Sequence, residues 1–344
     1  MIGLIGSYCD DRESASGQAV RTTFLYNALC QRYGLKEIYK VNTHGFRNKP
    51  LKVLLNTLAC IIYCKDIIVM VHENGMKFYF PILSFVSKCF GKNIYHNVIG
   101  GRFKEYLIDN PKLIKNVKTF KVNWVQMQSQ IDNLKEIGVT NTELLPNTKS
   151  IEILSEKALY EYSEEVFRFC MCSRISIAKG VEEAIKAIET INQRSNRVIV
   201  KLDIYGKPDS GYEERFSSII EHCSSAIRYC GFIPNNKTIE QLKGYYMLLF
   251  PSTYEGEGFP GTVWDAFGAG LPIIATNWRY NSEVIEHGTT GLIYDYKNPE
   301  GLIDQINYSI NHVDEINKMR VECIKYIKAF SPDLVFPIIY KYFD

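Results

Sequence analysis

The chain has 344 residues, of which 46% are hydrophobic and 23% are charged, and its formal net charge is +2. This length exceeds what one hydrophobic core usually supports, so we expect two domains of ordinary size. No apolar run reaches the roughly 18 residues of a membrane-spanning helix, and the run at residues 1–6 is too short for a signal peptide, which favours a cytoplasmic protein.

Strand and helix patterns alternate along the first half, as a doubly wound α/β sheet requires. Strands are predicted over residues 2–7, 37–41, 66–71, 93–99, 120–126 and 142–145. Helices are predicted over residues 18–32, 52–64, 78–90 and 129–137, with room for another within 102–113. The polar, proline-containing stretch 146–165 predicts a boundary, so the first domain spans residues 1–150.

The second half repeats this plan over residues 166–320. Strands are predicted over residues 167–172, 198–205, 227–231, 246–250 and 272–275. The first helix of this half, residues 181–193, carries its apolar side chains on one stripe, formed by Val181, Ala184, Ile185, Ile188 and Ile191. Two similar α/β halves are therefore expected, followed by the tail 321–344.

The most informative stretch, residues 251–272, places Glu257 and Asp265 at either end of a glycine-rich turn that runs into a short helix. Pro260 suits a first helical position and Gly270 a C-terminal cap, so the helix should run from about 260 to 269. Free N–H groups at its start attract a diphosphate, and a carboxylate one or two turns further on can accept hydrogen bonds from ribose hydroxyls. Glu257, on the turn, is placed to meet a sugar.

A second motif, residues 173–180, follows the first strand of the second half and contains Arg174 and Lys179. Ligands of such sheets bind beyond the carboxyl ends of the strands, where two cations would neutralise a diphosphate. Taken singly, either residue is more often an ordinary surface cation. The two cations occur together, and the chain also contains the Glu257 segment, so binding of a diphosphate is the favoured interpretation.

The stretch 251–272 resembles the donor-site motif of the retaining family 4 glycosyltransferases of GT-B architecture, in which two glutamates are separated by seven residues. Here the second acid is Asp265, which is one methylene shorter. Residues 254–262, followed by 273–276, look like the subgroup that builds bacterial capsular and exopolysaccharides. The resemblance implies two Rossmann-like doubly wound domains facing each other across a cleft, with the tail 321–344 crossing back to the first domain.

The resemblance also implies roles for individual residues. The catalytic residues would be Arg174, Lys179 and Glu257. The donor-binding residues would be Gly17, Gly258, Phe259, Pro260, Gly261, Thr262 and Asp265. Gly17 belongs to the stretch Ser14 to Ala19, where an ordinary helix cap is the alternative interpretation.

On the acceptor side, several residues at strand ends in the first domain are candidates. These residues are Gln18, His72, His96, Gly100, Gly101 and Arg102. The turn from Gly100 to Arg102 would bring backbone amides and a cation to the acceptor. A lone histidine at a strand end is a structural residue about as often as a catalytic one.

The reaction implied by the resemblance is retaining transfer of a sugar from a UDP- or GDP-linked donor to a glycan or lipid-linked glycan. The acceptor attacks from the face that the diphosphate leaves, so no protein nucleophile is needed, and no cofactor or metal ion is expected. Two alternatives stay open. A nucleotide-sugar epimerase of the same fold would need acids and histidines around the sugar, and a non-catalytic sugar-nucleotide-binding subunit would lose the basic pair or the first acid.

Charge and cysteine content bear on partners and location. Residues 1–150 hold 20 Lys and Arg against 11 Asp and Glu (+9), whereas residues 151–344 hold 20 against 27 (−7). The excess is spread over many elements, with basic-aromatic stretches at 77–80 and 112–121, which fits peripheral contact with an anionic membrane at its inner, cytoplasmic face better than nucleic acid. A solvated surface without a partner is the alternative. The ten cysteines lack metal spacing, so reduced thiols are expected.

Overall fold

The computed structural model describes residues 1–8, 17–44, 46, 49–149, 152–159 and 161–344. The chain divides into two compact units, Met1–Ser150 with Pro332–Asp344, and Ile151–Ser331. The strands are β1 Ile2–Gly6, β2 Ile38–Asn42, β3 Asp66–Met70, β4 Asn93–Asn97, β5 Val122–Val125, β6 Thr142–Leu144, β7 Phe167–Cys172, β8 Val200–Tyr205, β9 Ile227–Gly231, β10 Met247–Phe250, β11 Ile273–Thr276 and β12 Gly291–Tyr294.

Helices connect these strands in both units. They are α1 Gly17–Tyr33, α2 Pro50–Tyr63, α3 Glu73–Phe90, α4 Phe103–Asp109, α5 Pro111–Val117, α6 Gln128–Glu136, α7 Val181–Ser195, α8 Glu213–His222, α9 Thr238–Leu242, α10 Gly261–Gly268, α11 Asn281–Val284, α12 Gly301–Asn311, α13 Val313–Lys328, α14 Pro332–Val335 and α15 Pro337–Tyr340. A short 3₁₀ helix, Ile177–Lys179, precedes α7.

The first unit is built on a parallel sheet whose described strands run in the order β2-β1-β3-β4-β5-β6. Ile2 of β1 lies opposite Ile38 on one side and opposite Asp66 on the other. All of β1 is buried, as expected for a parallel sheet that helices cover on both faces. Since β2 and β3 flank β1, the loops after β1 and β3 border a topological switch point, where such sheets bind ligands.

The second unit repeats this plan with the described strand order β12-β11-β10-β7-β8-β9. The chain passes from β7 to β8 and β9, and then returns to the other side of β7 as β10. Leu248 of β10 consequently lies opposite both Cys170 of β7 and Ile273 of β11. The switch point of this unit is therefore between the carboxyl ends of β7 and β10.

A buried arginine joins the last long helix of the second unit to this sheet. Arg320 of α13 is 1% exposed, and its guanidinium donates hydrogen bonds to the carbonyl oxygens of Tyr245 (2.6 Å), Tyr246 (3.0 Å) and Gly270 (3.3 Å). Tyr245 and Tyr246 directly precede β10, and Gly270 lies between α10 and β11. One side chain thus supplies donors to backbone carbonyls at both ends of the segment that carries Glu257 and Asp265.

The prediction of two Rossmann-like α/β domains is confirmed by the two parallel sheets. Strands β7 and β9 have the predicted ends, and helix α7 extends the predicted helix to Ser195. The sequence analysis did not predict β12, α8 or α12. Helix α8 buries Phe216 alone, so its apolar pattern is too weak to detect.

Two observations bear on the environment of the chain. Among the described residues, no helix is both long and apolar enough to cross a membrane. The cysteines in the described ranges form no disulfide. Cys9 lies outside these ranges.

Candidate functional site

The sequence-predicted donor residues of the second unit meet at the switch point between β7 and β10. The loop after β7 carries Arg174 and Lys179, and the loop after β10 carries Glu257. Because β7 and β10 are parallel neighbours, both loops leave the same edge of the sheet. The structure thus brings together two groups of residues that are about 80 positions apart in the sequence.

A glycine permits the close approach of these two loops. Gly180, with φ of +74°, lies where a Cβ atom would overlap the carbonyl oxygen of Pro251. The backbone N–H of Thr253 donates a hydrogen bond of 2.8 Å to the carbonyl oxygen of Ala178. Only glycine combines this left-handed backbone with the missing side chain, so Gly180 fixes the distance between the basic loop and the acidic loop.

Lys179 and Glu257 form a buried ion pair. Their side chains are 10% and 6% exposed, and the Lys179 ammonium donates to Oε1 of Glu257. The hydroxyl of Ser252 donates to the same oxygen at 2.8 Å. The ring centroids of Tyr254 and Phe250 lie 4.8 Å and 5.5 Å from Lys179 Nζ, so the ammonium also contacts two aromatic rings. Burial of either charge alone would be energetically costly. In the pair, each charge and its hydrogen bonds compensate the other charge in the interior.

Further hydrogen bonds position Ser252. Its side chain is fully buried, and its carbonyl oxygen accepts a hydrogen bond of 2.6 Å from the hydroxyl of Thr276 at the end of β11. The amide of Asn281 in turn donates to the backbone oxygen of Thr276 at 3.2 Å. This chain of contacts links β11 to the loop after β10 and thereby orients the hydroxyl that holds Glu257.

Arg174 lies on the exposed side of the same edge. Its side chain is 55% exposed, and its Nη1 donates to both carboxylate oxygens of Asp209, at 3.0 Å and 3.3 Å. The Tyr254 ring centroid is 5.4 Å from its guanidinium carbon. Solvent screens such a pair, which should contribute at most about 1 kcal/mol to stability. An anionic ligand can therefore displace Asp209 from Arg174 at little cost.

Close approach of the loops after β7 and β8 places Asp209 beside Arg174. Gly206 has φ of +141°, and a Cβ atom there would overlap the carbonyl oxygen of Ser173. The N–H of Asp209 donates to the carbonyl oxygen of Ile175 at 2.9 Å. The two loops therefore continue alongside each other beyond the ends of their strands.

Helix α10 begins next to this cluster. Its first residue is Gly261, and its N-cap is Pro260 in an extended conformation, whose side chain makes no capping hydrogen bond. The hydroxyl of Thr262 donates at 2.6 Å to the carbonyl oxygen of Cys172, the last residue of β7. This bond anchors the helix start at the switch point, where its first N–H groups and its dipole favour an anion.

The remaining donor candidates lie on the same segment. Gly258 and Phe259 precede α10 directly, and the ring of Phe259 packs edge-on against Phe330, with centroids 5.2 Å apart. Asp265, the fifth residue of α10, is 8% exposed. The helix ends at Gly268, close to the predicted limits of 260 and 269. All donor candidates of the second unit therefore lie on the two loops at its switch point or on α10.

In the first unit, two acceptor candidates lie at the switch point of the sheet. Gln18 of α1 is 5% exposed, and its side-chain amide donates to the carbonyl oxygen of Met70, the last residue of β3, at 3.0 Å. His72, two residues further along, is exposed at the start of α3. Gly17 is exposed at the first position of α1. Residues 14 and 16 lie outside the described ranges.

The turn after β4 has the predicted form. Gly100 has φ of +83°, and its carbonyl oxygen accepts a hydrogen bond of 3.0 Å from the side-chain amide of Gln130. Gly101 is buried, and Arg102 is exposed at the N-cap of α4. Strand β4 neighbours β3, so this turn leaves the same edge of the sheet as His72.

The expectation for His96 is corrected by the structure. Its side chain is fully buried in β4, where its Nδ1 pairs with Oδ1 of Asn123 at 3.2 Å and the rings of Phe80 and Phe103 pack against it. Burial lowers its pKa to about 3. His96 is thus a neutral core residue that no acceptor can reach. The sequence does not reveal this, because a parallel strand is buried on both faces and shows no alternation.

The sequence analysis missed several residues of the site. Ser252 holds Glu257, Tyr254 covers Lys179 and Arg174, and Asp209 pairs with Arg174. Ser252 follows β10 directly, so its position at a strand end could have identified it. Asp209 has no comparable signal, because its contact depends on the pairing of β7 with β8. Within the described ranges, no three His, Cys, Asp or Glu side chains are placed to hold a metal ion.

Known proteins were compared with this chain and its structure. Two curated relatives are GtfA subunits of a UDP-N-acetylglucosamine–peptide N-acetylglucosaminyltransferase. The subunit from Streptococcus agalactiae is 30% identical over 179 residues, which is 51% of this chain and 33% of the relative. The subunit from Streptococcus parasanguinis is 25% identical over 283 residues, which is 80% of this chain and 52% of the relative. The chain thus spans about half or less of the length of these relatives.

Among solved structures, that of Anabaena HepE in complex with UDP and glucose is similar, with a TM-score of 0.73 over 99% of this chain and 98% of that one. The sequence identity is 12%, so this likeness concerns the fold. The family model described as Glycosyl transferases group 1 matches residues 156–330, just over half of the chain, including every donor candidate of the second unit. The chain therefore belongs to the glycosyl transferases group 1 family.

Proposed function

We propose that this protein is a retaining glycosyltransferase of family 4, which moves a sugar from a nucleotide diphosphate sugar to a glycan or lipid-linked glycan. The observation that carries the proposal is the convergence of Lys179, Glu257 and Arg174 with the start of α10 at one switch point. Two cations and a helix N-terminus suit a diphosphate, and a carboxylate beside them suits the hydroxyls of a sugar. A bacterial surface polysaccharide is the proposed product.

In this proposal the diphosphate lies against Arg174, Lys179 and the N–H groups that begin α10. Asp209 yields Arg174 to the incoming diphosphate, because their pair is exposed and weak. Both hydrogen bonds to Glu257 engage Oε1, so Oε2 can accept a hydrogen bond from a sugar hydroxyl. Asp265 accepts hydrogen bonds from the ribose.

The chemical step needs no nucleophile from the protein. The acceptor hydroxyl attacks the anomeric carbon on the face that the diphosphate leaves. A bond forms between that carbon and the acceptor oxygen, the bond to the diphosphate oxygen breaks, and the acceptor proton passes to the leaving diphosphate. Lys179 and Arg174 stabilise the negative charge that develops on the diphosphate, a role that we assign to them rather than to a metal ion.

A nucleotide-sugar panel is the first experiment. The names of the streptococcal relatives support UDP as the nucleotide and N-acetylglucosamine as the first sugar to test, with GDP sugars as comparison. A ligand at about 100 times its dissociation constant should stabilise the protein by about 2.7 kcal/mol, which thermal unfolding detects. Transfer with retained anomeric configuration in the presence of EDTA would support the proposal. Release of an altered sugar nucleotide without any acceptor would point to an epimerase.

A further inference from the structure

Helices α2 and α3 present an unusual surface to solvent. Helix α2 buries only a narrow stripe of side chains, namely Val53, Thr57 and Cys60. Its opposite face is also apolar, with six large side chains that are 41% to 67% exposed: Leu51, Leu54, Leu55, Leu58, Ile62 and Tyr63. A helix that is apolar all round is normally buried on every side, in a large core or in lipid. Among the described residues, nothing in the first unit covers this face of α2.

Helix α3 extends this surface. It carries the exposed rings of Phe78, Phe85 and Phe90. The two helices touch in the interior of the unit, where the hydroxyls of Thr57 in α2 and Tyr79 in α3 are 3.3 Å apart. We term the exposed apolar side chains of these neighbouring helices the α2–α3 face. Groups of large exposed apolar side chains mark a binding site for a protein or a membrane.

The charges around the α2–α3 face distinguish these partners. Residues 49–92 contain six lysines and only two acidic residues, Asp66 and Glu73. The lysines are Lys49, Lys52, Lys65, Lys77, Lys88 and Lys92. Protein interfaces are depleted in lysine, whereas helices that lie in a membrane interface combine leucine and phenylalanine with lysine. An anionic bilayer complements both the apolar side chains and the excess of positive charge in residues 49–92.

We propose that the α2–α3 face docks on an anionic membrane and inserts its leucine and phenylalanine side chains into the headgroup and acyl boundary. This proposal extends the membrane contact expected from the charge of residues 1–150. The docking itself does not depend on the proposed function, and only its biological purpose rests on that function. The sequence analysis expected peripheral attachment without insertion, with basic-aromatic stretches at residues 77–80 and 112–121. In the structure, Tyr79 and Phe80 are buried, so the first of these stretches offers only part of its aromatic surface.

Co-sedimentation with phosphatidylcholine vesicles, with and without about 30% phosphatidylglycerol, tests the proposal. The apolar variant is Leu54→Gln, Leu58→Gln and Ile62→Gln combined. Its matched control is Leu35→Gln, Ile108→Gln and Leu334→Gln combined, at positions that are 68%, 52% and 60% exposed elsewhere. We expect the apolar variant to lose at least about tenfold in partitioning, because three large side chains no longer insert. The control should bind like wild type.

A second pair of variants tests the charges. Lys52→Gln, Lys77→Gln and Lys88→Gln combined should lower partitioning into anionic vesicles by about fivefold per lysine. The control, Lys112→Gln, Lys115→Gln and Lys118→Gln combined, removes the same charge from α5 and its end, and should have a much smaller effect. If the two triple variants lose equally, the contact is only a diffuse attraction and the docking surface is wrong.

Insertion itself is tested with Leu58→Trp and vesicles that carry brominated acyl chains, which should quench the additional fluorescence. Vesicle binding by Leu58→Trp without this quenching would overturn the proposal, as would self-association of the wild type that the apolar variant abolishes. Transfer to a water-soluble acceptor should be equal for all variants. Wild-type protein that transfers sugar but does not bind vesicles would contradict docking alone. Wild-type protein that binds vesicles but transfers sugar from no donor would contradict the proposed function alone.

Discussion

Lys179 and Glu257 are 78 residues apart in the chain and form an ion pair that is almost closed to solvent. The pair has a proposed catalytic role and a separate role in folding. In the proposed mechanism, Lys179 faces the diphosphate of the donor and Glu257 faces its sugar. In folding, each charge compensates the other, so removal of one partner leaves an unpaired charge in the interior.

The first prediction separates these roles. Lys179→Ala should lower turnover by about 100- to 1000-fold and also destabilise the protein by about 3–5 kcal/mol, because Glu257 then remains buried without its partner. Arg174→Ala should lower turnover to a similar extent but change stability by at most about 1 kcal/mol, since its pair with Asp209 is exposed. Turnover assays and urea unfolding measure both effects, with Lys186→Ala on α7 as the control.

A double variant completes this test. Lys179→Met combined with Glu257→Gln removes both charges, so much of the lost stability should return while activity stays low. If stability recovers but activity does not, the charges of Lys179 and Glu257 are themselves needed for the transfer step. If the double variant is as unstable as Lys179→Met alone, burial of an unpaired charge is not the cause.

The second prediction concerns the exposed pair. Asp209 occupies Arg174 before the donor arrives, so Asp209→Asn should strengthen binding of the donor diphosphate by up to about fivefold, the worth of a surface ion pair. The gain should shrink at high salt, because solvent ions screen the competing carboxylate. Calorimetric titration of UDP at two salt concentrations measures this. Weaker binding would mean that Asp209 orients Arg174 instead of competing for it.

The third prediction distinguishes the two acids of the donor segment. Glu257→Gln should impair transfer with little loss of nucleotide affinity, because Glu257 lies on the turn beside the proposed sugar. Asp265→Asn should mainly weaken nucleotide affinity, because Asp265 lies within α10. Calorimetric titration with UDP and with the intact sugar nucleotide measures which variant loses affinity for the nucleotide. An unchanged affinity of Asp265→Asn for UDP would remove its ribose role.

The fourth prediction follows from the buried histidine of β4. The folded-state pKa of His96 is about 3, below the unfolded value of about 6.5, so the unfolded state binds the extra proton first. Its neutral form therefore contributes stability that is fully present above pH 6.5 and is lost as the pH falls towards 3. The unfolding free energy should decrease by about 1.4 kcal/mol per pH unit below pH 6.5. Urea unfolding at several pH values should show a shallower slope for His96→Gln.

Sequence patterns predicted every described strand except β12, and they predicted the turn and helix within residues 251–272, for physical reasons. Buried parallel strands are continuous apolar runs, and the turn into α10 is marked by glycine and proline, so both features are local in sequence. The partners of the predicted residues are not local. Asp209 contacts Arg174 through strand pairing, and His96 is indistinguishable from a strand-end ligand until packing places aromatic rings around it. Local chemistry identified the residues, whereas topology determined their partners.

The hydrogen bonds of Arg320 have a consequence for cooperativity. Its guanidinium joins α13 to the carbonyls before β10 and after α10, so α13 cannot detach without leaving a buried cation and three carbonyl oxygens without their partners. These elements should therefore open together as one unit of local unfolding, with similar amide exchange rates in α13 and β10. The donor segment would then remain ordered between binding events, so that its side chains are in position before a ligand arrives.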